Sequence, residues 1–275
     1  MVSTLFADVS QFQPPVDDSY PYPVLSIRVC DGTYVDPNFA QNYAWMRAAL
    51  DSGKLMFGIV YTYVRPATWQ SNADTLTATI DANGGLHPRV ALMLDVESGD
   101  GNGSADQSYA INSLYNALAE YGGAVGIIGY GNTGDLDAMW PNKPPGIRLI
   151  IAAYGSDPDY PGKIAHQYTD GTGYGAASGL PDGAPPFGAC DMNSADGLTP
   201  QQFAAACGIT TGGLMALTDD EQTELLSKTR DIWDQLRGPA GAGWPQLGQD
   251  AAGNNLTPVD ALAAVKTNLE RGPQL

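Results

Sequence analysis

Asp95 and Glu97 close the apolar run Val90-Ala91-Leu92-Met93-Leu94, and their spacing gives the sequence a chemical direction. Side chains alternate along a strand, so two acids two residues apart leave it on one face while Val96 points the other way. Such a pair suits cleavage of a glycosidic bond, in which one carboxyl holds a proton to donate and its neighbour stays ionised. The plain alternative is that the two acids only end a strand and cap the Gly-rich stretch Ser98-Gly99-Asp100-Gly101. In a closed parallel barrel, however, the C-terminal ends of the strands are where the loops build an active site.

Polar residues recur at such ends. Asp8 closes a first strand over 4–9, and Arg28 lies inside a second, Val24 to Val29. An inward-facing arginine requires a carboxylate partner, expected among the barrel acids. The third strand, about Leu55 to Tyr63, ends with Tyr61 and Tyr63 on one face, and Val125 to Tyr130 ends with Tyr130. Between them the spacing predicts helices. Asp36 as N-cap and Pro37 open one with Phe39, Tyr43, Met46 and Leu50 on its core face, and a second spans roughly Trp69 to Ala82. A third starts at Ser104 and carries Ile111, Leu114, Leu118 and Tyr121. Beyond Tyr130 the helices thin out: strands at Leu149 to Tyr154 and Ala165 to Tyr168, then a Gly/Pro-rich loop to Asp191-Met192-Asn193. This pattern predicts one α/β domain, an irregular TIM-like barrel unevenly wrapped by helices.

Composition removes several function classes. Thirty acids against thirteen bases give a net charge of -17, without a basic run, so nucleic acid is not an expected partner. No apolar segment approaches the roughly 20 residues needed to span a bilayer. Met1 to Phe6 lacks the basic and long apolar regions of a signal peptide. Cys30, Cys190 and Cys207 have no metal or redox spacing, and two histidines, His87 and His166, exclude a His-rich metal site. An acid-only Mg or Ca site stays open, although no EF-hand spacing is present. His166 is expected to be a hydrogen-bonded core histidine. No cofactor is expected.

From about residue 4 to 200 the chain resembles the family 25 glycoside hydrolases, lysozyme-like muramidases. The resemblance rests on Asp8-Val9-Ser10 with Gln13, Ile27-Arg28-Val29 with Gly32, Asp36 with Phe39 and Asn42, and Gly58-Ile59-Val60-Tyr61. It continues through Leu94-Asp95-Val96-Glu97, Gly129-Tyr130-Gly131-Asn132, Gln167-Tyr168 and Asp191-Met192-Asn193. The resemblance implies a barrel of eight strands with fewer than eight helices. The implied substrate is the β-1,4 bond after N-acetylmuramic acid in peptidoglycan. Its four acids fall on Asp8, Asp95, Glu97 and Asp191. Glu97 takes the general-acid role, Asp95 stays ionised beside it, and Asp8 and Asp191 hold sugar hydroxyls. Tyr61, Tyr63, Tyr130, Arg28 and Asn193 are the implied substrate contacts, with core packing an equal alternative for Tyr61 and Tyr130. Against the family pattern, Thr62 stands where histidine is frequent and His166 where tryptophan is common. The aliphatic Leu149-Ile150-Ile151 replaces an aromatic on the sixth strand.

These readings divide the chain into a barrel over 1–209, a linker over 210–216 and a helical docking or oligomerisation segment over 217–275. In the tail, Thr218 and Glu221 form a capping-box pair ahead of a helix striped by Leu225, Thr229, Ile232 and Leu236. Thr257 and Pro258 open another helix, with Val259, Leu262, Val265 and Leu269. Two short amphipathic helices cannot bury their stripes alone. The tail resembles those of lysins and tail proteins of phages of actinobacteria, which implies a phage source and a phage tail protein or self-association as partner. The product would be made in a host cytoplasm and act at the wall, holin-released or virion-borne. Three functions remain open: a muramidase, a wall-binding module, and a structural decoration of a phage particle.

Overall fold

The structure, a computed structural model, describes residues 3–123, 125–209 and 219–271. It divides into two compact units, Met1–Thr211 and Gly212–Leu275. The first begins with β1 (Leu5–Val9), β2 (Val24–Asp31), the short β3 (Tyr34–Val35), α1 (Phe39–Asp51) and β4 (Phe57–Tyr63). Next come α2 (Trp69–Ala82), β5 (Val90–Asp95), α3 (Ser108–Gly122), β6 (Ile127–Asn132), α4 (Thr133–Met139) and β7 (Arg148–Ala152). It ends with β8 (Lys163–Thr169), α5 (Tyr174–Ala177), the two-residue strands β9 (Gly183–Ala184) and β10 (Gly188–Ala189), β11 (Asp191–Ser194) and α6 (Pro200–Ala206).

Eight of these strands close a barrel in the order β1-β2-β4-β5-β6-β7-β8-β11, with β11 returning to β1. The pairings from β1 through β8 are parallel, as the strand–helix alternation predicts. The closing strand is not: β11 runs antiparallel to both neighbours. Its start therefore lies at the end of the barrel where the parallel strands finish, and Asp8 stands in register with Asp191.

Alternation separates two cores. Leu92 and Leu94 of β5, and Val96 just after it, face outward into a layer shared with Phe39, Tyr43 and Met46 of α1, Leu76 and Ile80 of α2, and Ile111 and Leu114 of α3. Ala91 and Met93 face inward, with Phe6, Val24, Phe57, Ile59, Ile128 and Ile150. The base of the interior is plugged by α6. Thr199 caps it in a reciprocal capping box with Gln202, Pro200 occupies its first turn, and Phe203 meets Phe6 and Phe57 at 5.2 Å between centroids. The plug lies so close to β6 that a Cβ on Gly126 would meet the Cys207 carbonyl oxygen at 1.7 Å.

Several boundaries differ from expectation for local reasons. The helix expected from Ser104 starts at Ser108, where the Asp106 carboxylate accepts the Ser108 amide and Ser108 Oγ accepts that of Asn142. Asp36 is not the N-cap of α1, which is Asn38, but it stays at the helix start: one carboxylate oxygen accepts the Asn38 amide, and the other accepts from the Arg28 guanidinium and the Gln11 amide. No helix links β7 to β8. In its place Lys163 bonds Asp157 and Asp196, and His166 Nδ1 lies 2.6 Å from Asp196 Oδ1, on the outer face of the barrel.

The second unit holds α7 (Asp219–Arg237) and α8 (Pro258–Arg271). Thr257 caps α8 as expected: its hydroxyl accepts the Asp260 amide and its own amide donates to the Asp260 carboxylate. The connector is held by the Trp244 indole donating to the Gln235 carbonyl and by the Asp250 carboxylate accepting the Ala252 and Asn254 amides. Leu225, Ile232 and Leu236 of α7 and Val259, Leu262 and Val265 of α8 are all exposed. The expected linker and the Thr218 cap lie mostly or wholly outside the described residues. Among the described residues no helix is long and apolar enough to cross a membrane.

Two outcomes follow for stability. A chain ending after Ile209 should keep a cooperatively unfolding barrel, read by thermal melting of its circular dichroism. Phe203→Ala should destabilise the full chain by about 3–5 kcal/mol in denaturant titration, through loss of the base plug.

Candidate active site

The inward face of each strand carries its last polar side chains to the mouth. On β4, Tyr61 and Tyr63 share a face, and Tyr63 is in register with Asp95 of β5, which is in register with Tyr130 of β6. Glu97 follows two residues beyond Asp95 on the same side, as the alternation predicts. On β1 and β2, Asp8 and Arg28 point inward, and on β11 so does Asp191. These side chains line one cavity of about 330 Å³. Asp8, Asp95, Glu97, Asp191, Tyr61, Tyr63, Tyr130 and Arg28 all contribute to its wall.

Asn193 does not. It lies deeper on β11, fully buried, with Nδ2 donating to the Phe6 carbonyl at 3.4 Å, because the alternation that turns it inward also sets it below Asp191. Arg28 has the required carboxylate partner, but it is Asp36, at 2.9 Å, rather than a barrel acid. Asp36 arrives from the turn after β3, and strand patterning gives no view of a turn residue folding back. Arg28 Nη2 has no hydrogen-bond partner, and neither do Asp8 Oδ1, Asp95 Oδ1, Ser26 Oγ and Asn193 Oδ1, all buried on the inner face. Buried polar atoms are normally satisfied, so this group of free donors and acceptors marks a surface prepared for a polar ligand.

Other wall residues come from segments that periodicity does not reach: Gln11 and Phe12 after β1, Tyr34 of the short β3, Asp100 after β5, and Tyr154 after β7. Phe12 is 77% exposed beneath the Arg28 guanidinium, and the Tyr154 ring lies 5.7 Å from that of Tyr174, tilted by 33°. These aromatics stand where the aliphatic sixth strand offers none. Gln167 of β8 also lines the wall; Gln167-Tyr168 is visible as a motif, but its bonding is not. Thr62 faces outward, bonded to Asn72 Nδ2 at 2.6 Å, and His166 belongs to the outer ionic cluster. Among the described residues, Asp157, His166 and Asp196 are the one group able to bring three metal-ligand atoms together. The Lys163 ammonium already bridges its two carboxylates.

Burial is the first cause of every shift in the mouth. It pushes the Asp8 carboxyl up to about 8, with Asp191 adding to it, and Asp191 up to about 7, with Asp170 and Glu97 adding. Asp95 rises well above the carboxylate range through burial and then Glu97 and Asp8, with Arg28 opposing. Glu97 is raised by burial and then by Asp135. The cluster thus holds protons near neutrality, since like charges this close cannot all ionise. The field on Asp95 is at odds with a carboxylate expected to stay ionised.

Asp8 has a consequence for stability. An unfolded carboxyl ionises near 3.8 and the folded one near 8, so between these values the folded state binds more protons and stability falls as pH rises. Asp8→Asn should therefore raise the thermal midpoint above pH 8. That gain should shrink toward pH 4, where both states are protonated; a pH-independent gain in calorimetry would contradict the shift.

Comparison with known proteins agrees with this geometry. The muramidase from Trichobolus zukalii is similar with a TM-score of 0.55 and 21% identity, over 74% of this chain and 99% of that one. A family 25 glycosyl hydrolase from Bacillus anthracis is similar with a TM-score of 0.55 and 17% identity, over 72% and 91%. The barrel has the family 25 glycoside hydrolase fold. The family model of the Rv3766 C-terminal domain matches residues 217–272. Along almost its whole length the chain is similar to the uncharacterized protein Rv3766 of Mycobacterium tuberculosis, with 67% identity over 272 residues and 98% of each chain covered. With both parts of the chain matched at that identity, the protein belongs to the Rv3766 family.

Proposed function

We propose that the protein is a peptidoglycan hydrolase that cleaves the β-1,4 bond between N-acetylmuramic acid and N-acetylglucosamine. The observation that carries this reading is the convergence of four carboxyls, Asp8, Asp95, Glu97 and Asp191, on one cavity at the mouth of a muramidase-type barrel. Glu97, less buried than Asp95 and raised above the usual range, donates its proton to the leaving glycosidic oxygen. The substrate's own acetamido oxygen attacks the anomeric carbon as that bond breaks. Asp95 orients the acetamido group or stabilises the positive charge developing at the anomeric carbon, and water then opens the cyclic intermediate with Glu97 as base. Asp8 and Asp191 hold sugar hydroxyls. Tyr61, Tyr63, Tyr130 and Arg28 complete the contacts, and Arg28 Nη2 supplies a free donor.

The exposed apolar stripes of α7 and α8 support association through 217–275, with a second copy or with another protein. The relative in M. tuberculosis makes an actinobacterial wall the substrate to test. The expected phage source, as endolysin or tail component, implies the same substrate and adds only the route by which the protein reaches it.

Purified protein on actinobacterial peptidoglycan should release muramic acid reducing ends. Glu97→Gln keeps the shape but removes the transferable proton and should lower the release about 10²- to 10⁴-fold with wall binding retained. Asp95→Asn should also cripple the rate. Wall binding without reducing ends across a broad pH range would replace this reading with that of a wall-recognition module.

A further inference from the structure

β5 ends at Asp95, and one further ladder bond follows it, from the Val96 amide to the Tyr130 carbonyl at 2.9 Å. Glu97 thus stands past the end of the sheet, on backbone outside the strand pairings. The chain then turns at once through three left-handed residues, Gly99, Asp100 and Gly101, with φ of 96°, 46° and 95°. A carboxyl that must meet a leaving oxygen at hydrogen-bond distance cannot be aimed from such a segment unless something else fixes it. Side chains do so. Both polar atoms of the peptide joining Glu97 to Ser98 are bonded: the Glu97 carbonyl oxygen accepts Asn102 Nδ2 at 3.0 Å, and the Ser98 amide donates to Asp135 Oδ2 at 3.0 Å. The Tyr63 hydroxyl adds a longer contact to the same carbonyl, 3.4 Å, shared with that of Gly99.

The two anchors are themselves tied to regular elements. Asn102 Nδ2 also donates to the Val64 carbonyl just after β4, at 2.8 Å, and its backbone exchanges bonds with Gly99 at 2.8 and 3.2 Å. Asp135 lies in the first turn of α4, whose N-cap is Asn132. Asn132 Oδ1 accepts the Asp135 amide at 2.9 Å, and Asn132 Nδ2 donates to Asp135 Oδ2 at 2.7 Å. The peptide is therefore pinned on one side to the end of β4 and on the other to the start of α4. Neither Asn102 nor Asp135 lines the cavity. The wall side chains hold one another instead: the Tyr130 and Tyr154 hydroxyls both donate to Gln167 Oε1, at 2.7 and 3.0 Å. We propose that Asn102 and Asp135 are positioning residues, which clamp the Glu97–Ser98 peptide from both sides and so aim the Glu97 carboxyl into the mouth. The inference rests on the reading of Glu97 as general acid and deepens it.

Asp135 brings a charge as well as an anchor. Burial raises its carboxyl, but the hydrogen bonds from Ser98 and Asn132 outweigh burial and hold it below its usual range, so it stays ionised beside Glu97. After burial, it is the first cause of the rise at Glu97. Anchor and charge can be separated, because Oδ2 alone takes both hydrogen bonds and the single carbonyl oxygen of an asparagine can do the same. The other charged groups of the mouth, Asp8, Arg28, Asp31, Asp95, Asp100 and Asp191, are common to every variant below.

Two measurements test the clamp: turnover of soluble peptidoglycan fragments, and side-chain NMR relaxation of protein labelled with ¹³C in its five glutamates, with Glu97→Gln assigning the resonance. Asn102→Ala and Asp135→Ala should each lower kcat about 10- to 10²-fold with KM unchanged, and should lower the order parameter of the Glu97 side chain. Asp135→Asn should restore both kcat and order parameter. Rates are compared at each variant's own pH optimum, since loss of the charge moves the Glu97 midpoint down. Should one alanine variant fail to fold, the other decides the matter, the two anchors being on separate segments. An unchanged kcat in the alanine variants, a loss that falls on KM, or an Asp135→Asn as slow as Asp135→Ala would overturn the proposal. If the unmutated protein releases no reducing ends, the muramidase reading fails and relaxation alone judges the clamp. A Glu97 side chain more mobile in the alanine variants than in Asp135→Asn then upholds it, and equal mobility in all of them overturns it.

Discussion

Asp8 and Asp191 stand opposite each other across the β1–β11 pair, and neither can ionise without raising the cost to the other. That juxtaposition exists only because the last strand enters antiparallel and brings its first residue, rather than its last, to the mouth. A parallel closing strand would have carried Asp191 to the base, against the Phe203 plug. Mutual repulsion in a dry barrel mouth is the constraint under which the other mouth residues are placed. Arg28, the cation lining the mouth, is bonded to Asp36 and offsets only part of the rise that it opposes at Asp95.

The molecule separates stability from chemistry along the barrel axis. The lower interior is hydrophobic and tightly filled, down to a plug so close that Gly126 has no room for a side chain. The upper interior leaves buried polar atoms unpartnered. Unpaired groups of this kind are costly, and the closed hydrogen-bonded barrel with its two apolar cores supplies the rigidity that keeps them in place.

Much of this was legible in the residues. The two-residue spacing of Asp95 and Glu97 predicts their shared face, and the 3/4 spacing of Phe39, Tyr43, Met46 and Leu50 predicts the buried side of α1, because both patterns report on a local repeat. Strand direction has no local signature, so nothing in Asp191-Met192-Asn193 announces that β11 enters antiparallel. Asp36 has the sequence neighbours of a helix cap, Pro37 onward, and does bond the Asn38 amide; its ion-pair partner lies on β2, eight residues back. Asn193 shares the inward face of Asp191, and alternation gives the face but not the depth. Gln167 was visible as part of a motif, yet the two phenols that meet on its oxygen come from β6 and from the loop after β7.

Because the four carboxyls share one low-dielectric space, protons belong to the group rather than to single residues. Neutralising any one acid lowers the field on the other three, so the midpoint seen in a variant reports the survivors' redistribution as well as the missing group. Effects of paired substitutions at Asp8 and Asp191 will not add, and their difference from additivity measures the repulsion between them directly. The mouth shares its protons as a unit, and that sharing is a property of the barrel's closure.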